Sequence, residues 1–303
     1  MVFDEYFLLD FAQTAIDGLM FGSVYSLMAI GFTLIWGVLR ILNLAHGQTV
    51  MVGMFVGMIV TTHLRFPLAL AFPVAALSGI LTGILIERVC YRPVRFSHEL
   101  VPMIATLGFW IATEELFQKI YFHLYFRDYT KFTNPYTFLG FDVGPFRIRF
   151  DYIVTIVVAM ALVGILYWVI YRTKTGMALR MIASSHDVAH LMGVDVMKSL
   201  TFSFGLAGAF GASAGFLLGM VSNMANPYSG TLATVKGLLA MILGGAGSIP
   251  GAILGGMVLG FLELESAFLV SFAYRDAVAM GLLLLVLVVR PQGLFGTRME
   301  EKI

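Results

Sequence analysis

Residues 173–199 read TKTGMALRMIASSHDVAHLMGVDVMKS, and residues 200–219 continue as LTFSFGLAGAFGASAGFLLG. The first part is polar and charged. The second is apolar and studded with small residues, and about 20 such residues are what a helix needs to cross the hydrocarbon of a bilayer. The polar piece therefore lies at a membrane face. Within it, Ser184 and Ser185 are residues that cap helix N-termini, and Asp187 then falls in the first turn, where the helix dipole favours a carboxylate. Val188, Leu191 and Met192 recur at i, i+3 and i+4 and make one apolar face. Gly193 is placed as a left-handed stop. The pattern predicts a short amphipathic helix on the membrane surface, ending at that glycine. Two readings of it stand: a docking surface for a soluble partner, or an ordinary loop with one helical turn.

Composition extends this reading to all 303 residues. The chain is 59% hydrophobic, only 12% charged, and has a mean hydropathy of +0.89. Soluble domains carry about 25% charged residues, so this chain cannot cover a globule with polar surface and belongs in lipid. A net charge of +1 argues against nucleic acid as a partner. The one cysteine, Cys90, rules out an internal disulfide and a cysteine-based zinc cluster. The N-terminus, MVFDEYFLLDFAQ, is acidic, unlike the basic start of a secretory signal, so the first apolar span is expected to stay in the protein.

Apolar runs recur near 12–36, 43–63, 68–87, 101–122, 152–171, 200–221, 232–246, 251–271 and 277–289. The expected fold is all-α, a single polytopic membrane domain over 1–303 with about nine crossings, in a range of about 8–10. The run 232–246 is short enough to be a re-entrant half-helix. Lys and Arg crowd three inter-span segments: Arg88, Arg92 and Arg95; Arg172, Lys174, Arg180 and Lys198; and Arg290, Arg298 and Lys302. Placing these and Arg40 on the cytoplasmic side puts the C-terminus and the 172–199 loop inside, and the N-terminus and the 123–151 loop outside. Small residues spaced by four, such as Gly18, Gly22 and Ser26, or Gly211, Gly215 and Gly219, mark faces where helices approach closely.

Polar residues interrupt the spans at a few places. Asn43, His46, Gln48 and Thr49, with Gly47, open the second span, as a pathway lining or as a helix start near the interface with Asn43 as its cap. Asn223 and Asn226 precede Pro227 in an outer loop and are also candidates for the pathway. Glu263 and Glu265, and Glu114 and Glu115, lie in apolar runs and are functional candidates by default; pairing, as of Glu115 with Lys119, is the plainer account. The segment 244–256, GGAGSIPGAILGG, predicts a sharp turn, because Pro250 and dense glycine oppose a continuous helix.

Several chemistries lack their parts. No G-x-x-x-x-G-K-[ST] occurs, so ATP binding by this chain is not expected. His98-Glu99 lacks the second histidine of a zinc-protease motif, since position 102 is Pro. Gly211-Ala212-Ser213-Ala214-Gly215 fits G-x-S-x-G but sits inside an apolar helix rather than at a strand-to-helix elbow; an intramembrane protease would need His46 or His63 as its base. His186 and His190 stand at i, i+4 with no third metal ligand in view. No cofactor, metal or catalytic residue is expected.

Four blocks carry a resemblance: FGSVYSLMAIGFTLIWGVLRILNLAHGQTVMVG (21–53), the 173–219 stretch, KGLLAMILGGAGSIPGAILGGMVLGFLE (236–263) and RPQGLFG (290–296). Together they are similar to the permeases of branched-chain amino acid ABC importers, and span most of the chain. The resemblance implies a multi-pass protein of the bacterial inner membrane. It implies a second permease subunit as partner, with two cytoplasmic ATPase subunits and an external substrate-binding protein. It also makes the 172–199 loop a coupling element that docks on an ATPase, with Gly176, Arg180, Ala183, Asp187, Ala189 and Gly193 in the motif. Met181 departs from the alanine common there. Related permeases carry urea, amides or sugars, and an ion-coupled transporter using Glu263 or Glu265 is a more distant alternative.

Overall fold

The computed structural model describes residues 5–95, 97–98, 100–125, 130–290 and 292–295. Helix α1 (Glu5–Leu39) is followed by α2 (His46–Met58), which runs on through a π-helical turn to His63. Then come α3 (Leu68–Ile86), α4 (Leu100–Tyr125), strands β1 (Thr130–Lys131), β2 (Gly140–Val143) and β3 (Phe146–Arg149), and α5 (Phe150–Arg172). The second half holds α6 (Lys174–Ser184), α7 (His186–Leu191), α8 (Val196–Ser222), β4 (Met224–Ala225), α9 (Ser229–Gly244), α10 (Ile249–Leu269) and α11 (Arg275–Val289).

Every apolar run of the sequence falls on a helix. Six helices are long and apolar enough to cross a bilayer: Phe7–Leu39, Leu68–Val94, Leu100–His123, Phe150–Arg172, Val196–Ser222 and Ile249–Leu269. The expectation of about nine crossings, with 232–246 as a re-entrant half-helix, also counted the three remaining runs, which form shorter helices. Helix α2 has 13 residues plus 5 in its π-helical turn, and α9 and α11 have 16 and 15, or about 22–27 Å at the α-helical rise, short of a ~30 Å hydrocarbon core. Helix α9 also starts deep, with Ser229 Oγ donating to Met54 Sδ of α2 at 3.3 Å.

The interior is built on backbone contact. Helix α1 packs on α10, and α2 and α3 pack on α8. A Cβ on Gly79 would collide with the Gly208 carbonyl, and one on Gly260 with the Gly22 backbone. The small residues at four-residue spacing thus bring main chains together where dispersion, not the hydrophobic effect, holds helices.

Two expectations are corrected in detail. The turn expected over 244–256 is confined to 245–248, with Gly245 and Gly247 at φ +104° and +89°. Helix α10 then runs unbroken through Gly251, Gly255 and Gly256. Pro250 sits in its first turn, where the missing N–H has no partner to lose, and Ser248 caps the end by accepting from the Gly251 N–H at 3.2 Å. The 123–151 segment is not a plain loop. Strands β2 and β3 form a hairpin, and β1 pairs antiparallel with β4. Asp151, fully buried, anchors this layer: it pairs with Arg149 at 2.5 Å and accepts from Asn134, whose amide also reaches the Met220 carbonyl at the end of α8.

Candidate functional site

The hairpin α6–α7 starts where α5 ends. Thr173 caps α6, its Oγ1 accepting from the Gly176 N–H at 3.1 Å. Gly176 lies so close to the Val169 and Ile170 carbonyls that no side chain fits, which folds α6 tightly back under α5. Leu179 and Ile182 are buried, and the Arg180 guanidinium lies over the Tyr171 ring, 5.2 Å from its centre. Arg180 and Ala183 line a cavity of about 410 Å3 shared with Arg40 and the 246–250 turn.

Ser185 is extended, at φ −160° and ψ 122°, and breaks the chain between the two helices. Its Oγ accepts from the Val188 N–H at 3.4 Å and starts α7. Ser184 is the last residue of α6, so of the two serines only Ser185 is a cap. Gly193 takes φ +77°, donates to the His190 carbonyl, and lets the Val194 N–H reach Ala189 O at 3.0 Å. This is the predicted left-handed stop. Ala189 is buried, whereas Val188, Leu191 and Met192 are 55%, 84% and 70% exposed. The face read from spacing is real, and none of the described residues covers it.

The six motif residues therefore come together in one hairpin but do different things. Gly176 and Ala189 are buried and hold it; Gly193 ends it. The side chains of His186 and Asp187 lie outside the described residues. The 172–199 loop holds two helices with a break at Ser185, so residues 176–193 do not form one continuous helix. Sequence reasoning missed α6, although Thr173 three residues before Gly176 is a cap signal.

The second site is the polar layer where α1 returns to α2. Arg40, at φ +56°, turns the chain after α1, and Asn43, His46, Gln48 and Thr49 are then all buried. Asn43 Oδ1 accepts from the Ala45 N–H at 3.1 Å, so it shapes the turn two residues ahead of Ala45, which holds the cap position expected for Asn43. The His46 ring stands edge-on to Phe32 at 4.6 Å and fills the space over Gly31. Gln48 lies against Gly230, and Thr234 donates to the Gly230 carbonyl, so the first turns of α2 and α9 meet here. Both polar atoms of Gln48, His46 Nε2, Thr33 Oγ1 and Ser213 Oγ have no hydrogen-bond partner among the described residues. Buried polar groups are costly when unpaired, and at membrane depth they mark pathways by default. Ser213 Oγ thus makes no hydrogen bond to an imidazole among the described residues; Glu99 of the zinc-motif fragment lies outside the described residues.

Asn223 and Asn226 do not join this layer. Asn223 ends α8 in the left-handed region and its Oδ1 accepts from Thr137 at 2.8 Å; Asn226 Oδ1 accepts from the Tyr228 N–H at 2.9 Å. Asn223 is about 18 Å along α8 from Gly211, the residue beside His46. Both asparagines order a turn.

Glu263 is paired, not free. It takes Lys236 Nζ at 2.6 Å and Arg275 Nε at 2.9 Å, and Lys236 also donates to Tyr25 OH at 3.1 Å. Sequence reasoning found the carboxylate but not its cations, because they come from two other helices. Glu263→Ala would leave Lys236 and Arg275, both half-buried, with only the exposed Asp276 as a carboxylate, at an expected cost somewhat below the ~3–5 kcal/mol of breaking a fully buried pair. Asp276→Ala, removing the 60% exposed member of the cluster, should cost less than about 1 kcal/mol. Thermal unfolding in detergent checks both. Glu265 is buried with neither oxygen bonded among the described residues. Glu114 accepts from Trp110 at 2.8 Å and from Thr231, while Glu115 and Lys119 form no ion pair among the described residues.

Comparison with known proteins follows the same lines. A family model described as "Branched-chain amino acid transport system / permease component" matches residues 14–287. The high-affinity branched-chain amino acid transport system permease protein BraD of Pseudomonas aeruginosa is 34% identical over 301 residues, covering 97% of this chain and 98% of that protein. LivH of Escherichia coli K12, with the same description, is 33% identical over 317 residues at the same coverage. The fructose import permease protein FrcC of Rhizobium meliloti is 26% identical, covering 91% of this chain and 74% of its own. No solved structure gives a significant match.

Proposed function

The chain belongs to the branched-chain amino acid transport system permease family, and on that premise we propose that it moves branched-chain or related amino acids across the inner membrane as the spanning subunit of an ABC importer. The observation that carries the proposal is the α6–α7 hairpin: a glycine-terminated helix, rooted by Ala189, that offers Val188, Leu191 and Met192 to a partner. A permease without nucleotide chemistry must receive work by contact. ATP-driven closure of two cytoplasmic ATPase subunits pushes the hairpin, and the glycine-packed helices rock as bodies, opening the pathway alternately to each face. A second permease subunit and an external binding protein complete the assembly. Asn43, His46, Gln48 and Thr49 belong to the moving pathway, where the bare polar atoms of His46 and Gln48 meet water or solute in the open states. The N-terminus faces outside and the C-terminus the cytoplasm. The likeness to a fructose permease supports a second reading for the cargo alone, in which the same machinery carries another small polar solute such as urea or an amide.

Two measurements test this. A cysteine replacing Leu191 in sealed right-side-out vesicles should resist an impermeant maleimide until the vesicles are opened; Cys90, the one native thiol, is buried and stays silent. Labelling from the outside alone sinks the proposal, because no cytosolic motor reaches an external hairpin. In proteoliposomes, leucine uptake should need ATP and all the partner subunits. Uptake by this chain alone on a proton or sodium gradient would place it among secondary transporters.

A further inference from the structure

A groove of about 670 Å3 runs between α3 and α8 at the membrane face that carries the α6–α7 hairpin. Its position follows from connectivity, since Asp195 caps α8 only two residues after Gly193. Its walls are Ile80 and Ile84 of α3 and Phe202, Gly205 and Leu206 of α8. Its rim is cationic: Arg88 and Arg92 follow α3, and Lys198 stands beside Asp195 in the first turn of α8. Arg92 Nε is held by the buried Glu87 at 3.3 Å and Lys198 Nζ by Asp195 at 3.0 Å. Arg88 is exposed and makes no ion pair among the described residues. Three cations face two carboxylates, so the rim keeps a net positive charge. The Asp195 carboxyl is held below its usual pKa, chiefly by the Lys198 backbone N–H and then by the Lys198 side chain, so it stays ionised and keeps the lysine at the rim.

An apolar trough open to a bilayer is filled by acyl chains. What distinguishes this one is a cationic headgroup site at its mouth. We propose that it binds one anionic phospholipid, with the phosphodiester on Arg88 and Lys198 and an acyl chain lying over Gly205. The walls extend from Arg88 to Ile80 and from Lys198 to Leu206, eight residues on each helix, which is about 12 Å of depth and suits the upper part of an acyl chain. Basic pockets between spanning helices at the cytoplasmic face are where acidic headgroups are recognised. Gly205 keeps the trough open: a Cβ there would make ordinary contact with Ile80 and Ile84 at 3.4–3.7 Å, and anything longer would fill the space. The lipid would bridge α3 and α8 beside the hairpin, and so tie the importer to the acidity of its membrane.

The test uses the full chain in nanodiscs of phosphatidylethanolamine with either phosphatidylglycerol or phosphatidylcholine as the second lipid. Lipids retained after extraction are counted by native mass spectrometry. The wild type should keep one phosphatidylglycerol and release phosphatidylcholine. Arg88→Gln and Lys198→Gln should each lower retention about fivefold while the thermal midpoint stays put. Gly205→Leu should abolish retention of either lipid. Equal retention of the two lipids, or no change in the doubly substituted chain, overturns the proposal. So does a photo-crosslinker at Phe202 that, in the assembled importer, captures the second permease subunit instead of phospholipid.

Discussion

Gly215→Leu abolishes the folded chain. In α8, Gly215 lies against α2 so closely that a Cβ would collide with the Val50 carbonyl, with the Met54 amide nitrogen 3.1 Å away. Both are helical backbone, and neither can swing aside as a long side chain could. The same seam closes from the other side, where Gly53 of α2 meets the Ala212 backbone. Inserting a side chain must push α2 off α8 along its whole length. That strips the packing from Val50, Met54 and Phe216, all buried, and lifts the polar layer at His46 and Thr49. Overpacking costs about 1–3 kcal/mol where side chains can adjust, and more where only backbone yields. Against a total stability of about 5–15 kcal/mol, this is enough to lose the native state. Gly164→Leu is the control: it sits in α5, also an apolar span, with nothing within 4 Å of a Cβ. Size-exclusion profiles in mild detergent should show a single peak for wild type and Gly164→Leu, and aggregate for Gly215→Leu. A single peak for all three would contradict the α2–α8 seam.

The contrast between these two glycines shows what the sequence could and could not convey. Four-residue spacing announced that small residues line helix seams, and Gly211, Gly215 and Gly219 obey it. It did not say which helix lies opposite, because a glycine carries no chemistry that names its neighbour. The nine apolar runs were legible because lipid demands them. The shortness of α9 was legible in the run 232–246, whereas that of α2 was hidden, since the run 43–63 includes Leu44 and Ala45 of the turn before the helix. Helix α7 was readable at its end, Gly193, and to within one residue at its start, where Ser184 and Ser185 both offered a cap and only Ser185 is one. Helix α6 was not, because its inner face is only Leu179, Ile182 and a glycine. Strand β1 of 123–151 was invisible for another reason: its two-residue pairing with β4 depends on a partner almost a hundred residues away. The Lys236–Glu263–Arg275 cluster is of the same kind.

Leu191→Asp leaves the chain folded and stops transport. Leu191 is 84% exposed at the end of α7, so the structure loses no packing when it is replaced, and its neighbours Val188 and Met192 are exposed as well. In water such a face is a cost that none of the described residues offsets, which supports the proposed contact with an ATPase subunit. Burying one leucine contributes about 1.5–3 kcal/mol, and putting a carboxylate in its place adds the cost of desolvating a charge. The affinity of the hairpin for an ATPase subunit should therefore fall by at least about tenfold to a hundredfold. Leucine uptake should disappear, and ATP hydrolysis by the partner subunits should no longer respond to substrate. Gly193→Val acts differently: it strains a residue at φ +77° and loosens the end of α7, at about 1–2 kcal/mol, so it should weaken coupling without erasing it. The pair separates two causes. If the face is the contact, charge at 191 is worse than strain at 193. If the hairpin is only a connector, Gly193→Val disturbs the chain more, and Leu191→Asp supports uptake at the wild-type rate.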